Sequence, residues 1–203
     1  MSEESQSLVF SKTSHQRHCI SPQTPRAWYF NDEVYLGWVQ GGTVIEISAA
    51  DPRLGAVFYT IDQRKPQPEA RITRQLGRCT LCHASTHTGR IPGHIVRSVY
   101  PDKKGMPILA SGTFRTTDKS PLKQRWGGWY VTGTHGSQRH MGNVWIPTDD
   151  AWKEIDVESG ANVEDLSERL ELSPYLTPHS DIVALMVMEH QIATHNLFTA
   201  ANI

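Results

Sequence analysis

Between residues 26 and 62 the apolar positions come in four short runs rich in aromatic and β-branched residues. Ala27-Trp28-Tyr29-Phe30 stops at Asn31-Asp32, and Val34-Tyr35-Leu36-Gly37-Trp38-Val39 stops at Gln40-Gly41-Gly42. Thr43-Val44-Ile45-Glu46-Ile47-Ser48 follows, and then, beyond Asp51-Pro52, Ala56-Val57-Phe58-Tyr59-Thr60-Ile61. Such side chains suit a pleated, half-buried surface, and Asn, Asp and Gly clusters between them supply turns. The pattern predicts an antiparallel β-meander within a β region spanning 26–75. Residues 1–25, polar and carrying Pro22 and Pro25, read as an extended lead-in with one apolar piece, Leu8-Val9-Phe10.

Downstream the pattern loosens. Residues 62–76 are polar and include Pro66 and Pro68, and Gly89, Pro92 and Gly93 end any helix begun at Cys79. His94–Tyr100 reads as a short strand or turn, and 101–124 as a surface loop with a small hairpin around Pro107-Ile108-Leu109. Residues 126–136 hold four glycines and three large aromatics, Trp126, Trp129 and Tyr130. Glycine permits close backbone approach and the rings supply apolar area. That combination suits either a wall against a flat apolar ligand or a bulged strand in the core. Residues 151–172 are acidic and mostly helical in propensity. Ser180 is expected to cap a helix over roughly 181–200, with Asp181 in its first turn. Its first half, Ile182–Met188, is apolar all round, which predicts full burial.

The predicted class is α+β: an N-terminal antiparallel β-meander, a loop-rich centre over 76–150 and a C-terminal buried helix within a tail over 151–203. A chain of 203 residues is expected to form one domain, here 26–203, behind the lead-in. A net charge of -1 excludes recruitment by nucleic acid or by anionic lipid through a basic field. No run of 18 apolar residues occurs, so no transmembrane segment is expected.

The chemistry concentrates at Cys79-Thr80-Leu81-Cys82-His83. One helical turn brings positions i, i+3 and i+4 onto neighbouring parts of one face. Two thiols so placed can form thioethers to the two vinyl groups of a haem, with the adjacent histidine as proximal iron ligand. A thiol–disulfide pair would leave His83 without a role, and no βαβ pattern surrounds the motif. A zinc-stabilised structural module would need His87 and His94 beside Cys79 and Cys82. The remaining cysteine, Cys19, stands alone in a polar stretch, so no disulfide framework is expected.

With one covalent haem c, the ligand opposite His83 decides the role: a strong one gives electron transfer, an open position gives chemistry or sensing. Met141 and His135 are the leading candidates for distal iron ligand, being close to the aromatic stretch in which Trp126, Trp129 and Tyr130 would form the haem pocket. His94, Met106, His190 and His195 are further options. Arg90, Arg97, Arg125 and Arg139 are cations available to haem propionates. Glu189 beside His190, in an otherwise apolar helix, is either a buried structural network or a distal acid–base pair of the kind used in peroxide chemistry.

The C-x-x-C-H motif resembles c-type cytochromes generally. Four longer stretches, Leu8–Ser14, Pro25–Asp32, Arg125–Gly136 and Ser180–Asn196, are similar to a narrower group, uncharacterised bacterial exported proteins with a monohaem cytochrome c domain. The resemblance covers most of the chain. It implies haem attachment through Cys79 and Cys82 with His83 as ligand, and implies no substrate. Members of the group are longer at both ends and begin with an export signal. Met1–Ser7 shows no basic segment, apolar run or cleavage site, so the sequence reads as a fragment or mature core. Periplasmic or other exported localisation is expected from the chemistry of haem attachment. The reading is therefore a monohaem c-type cytochrome transferring single electrons to a redox partner protein. A peroxidase-like haem enzyme or a haem sensor with an open sixth position is the alternative, and the zinc-stabilised module a third.

Overall fold

The computed structural model describes residues 1–64, 69–147 and 155–203. The chain folds as α+β. Six strands, β1 (Ser7–Val9), β2 (Arg26–Phe30), β3 (Val34–Trp38), β4 (Val44–Asp51), β5 (Gly55–Asp62) and β6 (Ile72–Gln75), form one sheet in sequence order. Every neighbouring pair is antiparallel. The meander predicted from residues 26–62 is thus present, and Ile72–Gln75 extends it to the predicted limit.

Two strands differ from the sequence expectation. The lead-in is not merely extended: Ser7-Leu8-Val9 pairs with β2 in the register Ser7 to Trp28 and Val9 to Arg26. Leu8, Val9 and Phe10 are buried, and burial of three apolar side chains stabilises what a three-residue propensity signal is too short to reveal. Thr113–Thr116, inside the expected surface loop, is a strand, β8, paired with β7 (Val96–Val99).

The register sorts the sheet's two faces. Trp28, Gly37, Glu46, Thr60 and Thr73 align in one cross-strand row, and Phe30, Tyr35, Ser48, Phe58 and Gln75 in the next. Alternate residues share a face, so these two rows lie together. Against this face packs a core of Phe30, Tyr35, Trp126, Trp129, Leu185, Met188 and Ile192. The opposite face, from Ala27, Tyr29, Leu36 and Trp38, packs with Tyr130, Leu166, Leu170 and Tyr175.

The C-terminal helix, α2 (Ile182–Asn202), corrects two details of the sequence reading. Its N-cap is Asp181, whose Oδ1 accepts from the amides of Val183 at 2.8 Å and Ala184 at 3.0 Å. Ser180 instead donates to the carbonyl of Tyr130 and accepts from the amide of Leu8, tying the strand edge to the helix start. Nor is the helix buried all round: Leu185, Met188, Glu189 and Ile192 point inward, while Val183, Met186 and Val187 are exposed. The helical propensity of 151–172 is not realised over 155–172, and 151–154 lie outside the described residues. Asp156, Asp165 and Glu171 instead accept from the amides of Glu158, Ser167 and Ser173, local turns that compete with a helix. No helix of the described residues is long and apolar enough to cross a membrane.

Candidate functional site

Cys79 and Cys82 sit at the start and in the middle of a single helical turn, α1 (Thr80–His83). The turn is closed by the His83 amide donating to the Cys79 carbonyl at 3.0 Å and the Ala84 amide to the Thr80 carbonyl at 2.9 Å. The Thr80 hydroxyl fastens its first residue to the carbonyls of Leu76 and Gly77. All three cysteines are free thiols; Cys79 is half-buried and Cys82 exposed. Large apolar side chains flanking the thiols, Leu76 and Leu81, stand 72% and 79% exposed, apolar area that a flat ligand at this turn would cover.

His83 is anchored rather than loose. Its Nδ1 donates to the Gly93 carbonyl at 2.9 Å, and the Gly93 amide donates back to the His83 carbonyl at 2.8 Å. A carbonyl can only accept, so the proton sits on Nδ1 and Nε2 keeps its lone pair. That is the arrangement that fixes ring orientation and tautomer in metal-ligating histidines. Burial pushes the His83 pKa down, against the smaller opposing effect of the Gly93 carbonyl, so the ring is neutral and able to ligate. The Phe58 ring lies 4.8 Å away.

Beneath the motif lies a charged pair from the sheet. The Arg26 guanidinium meets the Glu46 carboxylate and covers the Trp28 ring at 4.5 Å. Gly37 makes this possible, since a Cβ there would collide with the guanidinium. The fields of both charges reach Cys79 and His83. Burial raises the Cys79 pKa, and the Glu46 charge adds to it, keeping this sulfur a thiol at neutral pH.

The other residues singled out in the sequence fall elsewhere. Met141 is buried, with its sulfur accepting from the Ser98 hydroxyl at 3.8 Å. His135 lies on an exposed turn with both ring nitrogens engaged, Nδ1 on the Gln138 carbonyl and Nε2 accepting from the Asn162 amide. Trp126, Trp129 and Tyr130 are core residues with their polar atoms on Glu189, the Arg97 carbonyl and the Pro22 carbonyl. Met106 is exposed at a turn beside Asp102. Glu189 and His190 point apart: Glu189 is fully buried and holds Arg125 at 2.8 Å and the Trp126 indole at 2.5 Å, while His190 faces solvent. Glu189 is thus part of a structural network. Of the other arginines, Arg97 bonds Thr113, Arg139 pairs with Glu158, and Arg90 is exposed in a left-handed turn.

The structure does bring His94 to His83: the ring centres are 6.4 Å apart. His94 is buried, its ring is 4.6 Å from that of Tyr35, and its Nε2 contacts the Ser48 hydroxyl at 2.9 Å. The Tyr35 hydroxyl meets His195 at 3.1 Å and Gln191 at 2.8 Å on α2. His87 is exposed in the middle of the following turn, Thr86–Thr88. Among the described residues no group of three or more His, Cys, Asp and Glu side chains is placed to hold a metal ion, so the four-ligand zinc set is not assembled. Sequence reasoning did not find Arg26, Glu46, Ser48 or Asn196. Their one signal is alternation: Glu46 and Ser48 are polar positions on the strand face that packs inward.

No family model matches the chain, and no curated protein or solved structure matches it either.

Proposed function

We propose that the chain is a monohaem c-type cytochrome that passes single electrons between redox partner proteins in an exported compartment. One observation carries the reading. The two thiols and His83 share one closed helical turn, and His83 is oriented by the Gly93 carbonyl so that Nε2 keeps its lone pair. In this reading Cys79 and Cys82 hold the porphyrin through thioethers and His83 holds the iron. When bound, haem supplies a one-electron Fe(III)/Fe(II) couple. The chain's own residues do the rest. Gly93 fixes the tautomer of His83. Buried Arg26 and half-buried Glu46, an ion pair of no net charge, set the field at the motif. Leu76 and Leu81 contribute apolar cover.

The experiment is expression with an added export signal alongside haem-maturation machinery, then denaturing electrophoresis with haem detection. Colour should stay with the protein after denaturation and be lost in the Cys79→Ser/Cys82→Ser double variant. A colourless wild-type protein from cells that mature a control cytochrome overturns the reading.

A further inference from the structure

We propose that Tyr35 and His195 form a redox-active tyrosine site, in which a one-electron oxidant takes an electron from the phenol ring while the phenolic proton passes to Nδ1 of His195. The products are a neutral tyrosyl radical and an imidazolium, and a returning electron and proton restore the pair. The oxidant is any one-electron acceptor strong enough to oxidise a phenol, so the proposal goes beyond the electron-carrier reading and does not need the haem. Tyr35, on β3, is 1% exposed, and its hydroxyl lies 3.1 Å from Nδ1 of His195 on α2.

The direction of that hydrogen bond follows from the groups around it. The Gln191 amide nitrogen donates to the Asn31 carbonyl at 2.7 Å, and the same nitrogen donates to the Tyr35 oxygen at 2.8 Å. With that oxygen accepting from Gln191, the phenolic hydrogen goes to His195. The Asp32 carbonyl also acts on the His195 ring and can only accept, so the ring's own proton belongs there and Nδ1 keeps its lone pair. Burial lowers the His195 pKa, leaving a neutral base, and the Glu33 and Asp32 charges favour the imidazolium that the transfer creates. Burial pushes the Tyr35 pKa up to about 12, so the proton stays on oxygen until the electron leaves.

The other tyrosines lack such a base. Tyr29 donates to the Gln6 amide oxygen, Tyr130 to the Pro22 carbonyl and Tyr175 to the Pro25 carbonyl, none of which takes up a proton. Tyr59 and Tyr100 stand nearer the solvent. Tyr35 also sits where oxidation can reach it: its ring is 4.6 Å from that of His94, which is 6.4 Å from that of His83. In the haem reading this places an internal electron donor one ring away from His83. On the other side Trp28 is 6.2 Å from Tyr35, but the Arg26 guanidinium, 4.5 Å over that indole, opposes a second positive charge there, so the oxidation stops at Tyr35. The competing account is a buried hydroxyl that only satisfies its hydrogen bonds.

The test oxidises the purified full chain with photogenerated tris(bipyridine)ruthenium(III) and reads the tyrosyl signal by electron paramagnetic resonance. The wild type should give a neutral tyrosyl radical that narrows when the tyrosines are ring-deuterated, forms more slowly in heavy water and is lost in Tyr35→Phe. His195→Phe keeps a ring and removes the acceptor; it should slow radical formation by about 10²-fold, the lower end of what a positioned proton acceptor contributes. A signal that survives undiminished in Tyr35→Phe, or a rate unchanged in His195→Phe, overturns the proposal. If a variant does not fold, the wild type labelled with nitrogen-15 histidine decides: the radical should couple to a histidine nitrogen across the hydrogen bond, and an uncoupled radical overturns the site. Covalent haem is read separately, and its absence overturns the reading above without touching this one.

Discussion

Glu189 shows how a single buried charge is tolerated in this fold. It is fully buried, and burial pushes its pKa up to about 7 against the opposing pull of Arg125 and the Trp126 indole. Removing the carboxylate leaves Arg125 buried beside a vacated partner. Glu189→Ala should therefore cost about 3–5 kcal/mol, read as a lowered urea midpoint; a loss under about 1 kcal/mol would mean that the Ser120 and Asp118 carbonyls satisfy Arg125 unaided. His140 gives a pH-dependent counterpart. It is buried, its Nδ1 accepts from the Gly142 amide, and burial lowers its pKa to about 4, with the neighbouring His135 adding to the effect. The unfolded chain then binds a proton that the folded chain excludes between pH 6.5 and about 4. Wild type should lose stability relative to His140→Phe as pH falls through that window, by about 1.4 kcal/mol per pH unit. A stability difference independent of pH would show that the ring titrates normally. At this scale the motif itself was fully legible, because Cys79, Cys82 and His83 are contiguous. Arg26, Ser48 and Asn196 were not, because they reach the site only through sheet register and the packing of α2.

Elements were legible where local chemistry and burial agree. The Asn31-Asp32 turn and the Gly41-Gly42 break sit where the alternation stops, so β2 to β5 follow from the sequence. Residues 155–172 misled because helix propensity was outweighed by side-chain-to-backbone turns at Asp156 and Asp165 and by the burial of Leu166 and Leu170 on the sheet. The α2 helix misled in another way: seven consecutive apolar residues, Ile182–Met188, carry no periodicity from which a face can be chosen. The fold chooses Leu185 for the core, completely buried, and leaves Val187 48% exposed. Leu185→Ala should accordingly cost about 2–5 kcal/mol, and Val187→Lys should stay within about 0.5 kcal/mol. Thermal or urea unfolding separates them; equal losses would mean that the outer face of α2 is also packed.

On the scale of the whole molecule, a six-stranded meander is covered on one face by α2 with Trp126, Trp129 and Val131, and the C-x-x-C-H turn is docked on that same side. His83 meets Phe58 of β5, while His94 links Ser48 of β4 to Asn196 of α2. The aromatic stretch around Trp126 and Trp129, equally consistent in sequence with a ligand wall or a core, joins the core that binds helix to sheet. The haem reading thus rests on α1 and its anchor rather than on that stretch. Its most direct test is the intact mass of the matured chain under denaturing conditions, followed by the mass of the peptide carrying residues 79–83. The account predicts a gain of one haem, located on that peptide and lost when both cysteines are replaced by serine. An unmodified mass, or a dissociable zinc ion in place of the haem, would contradict it.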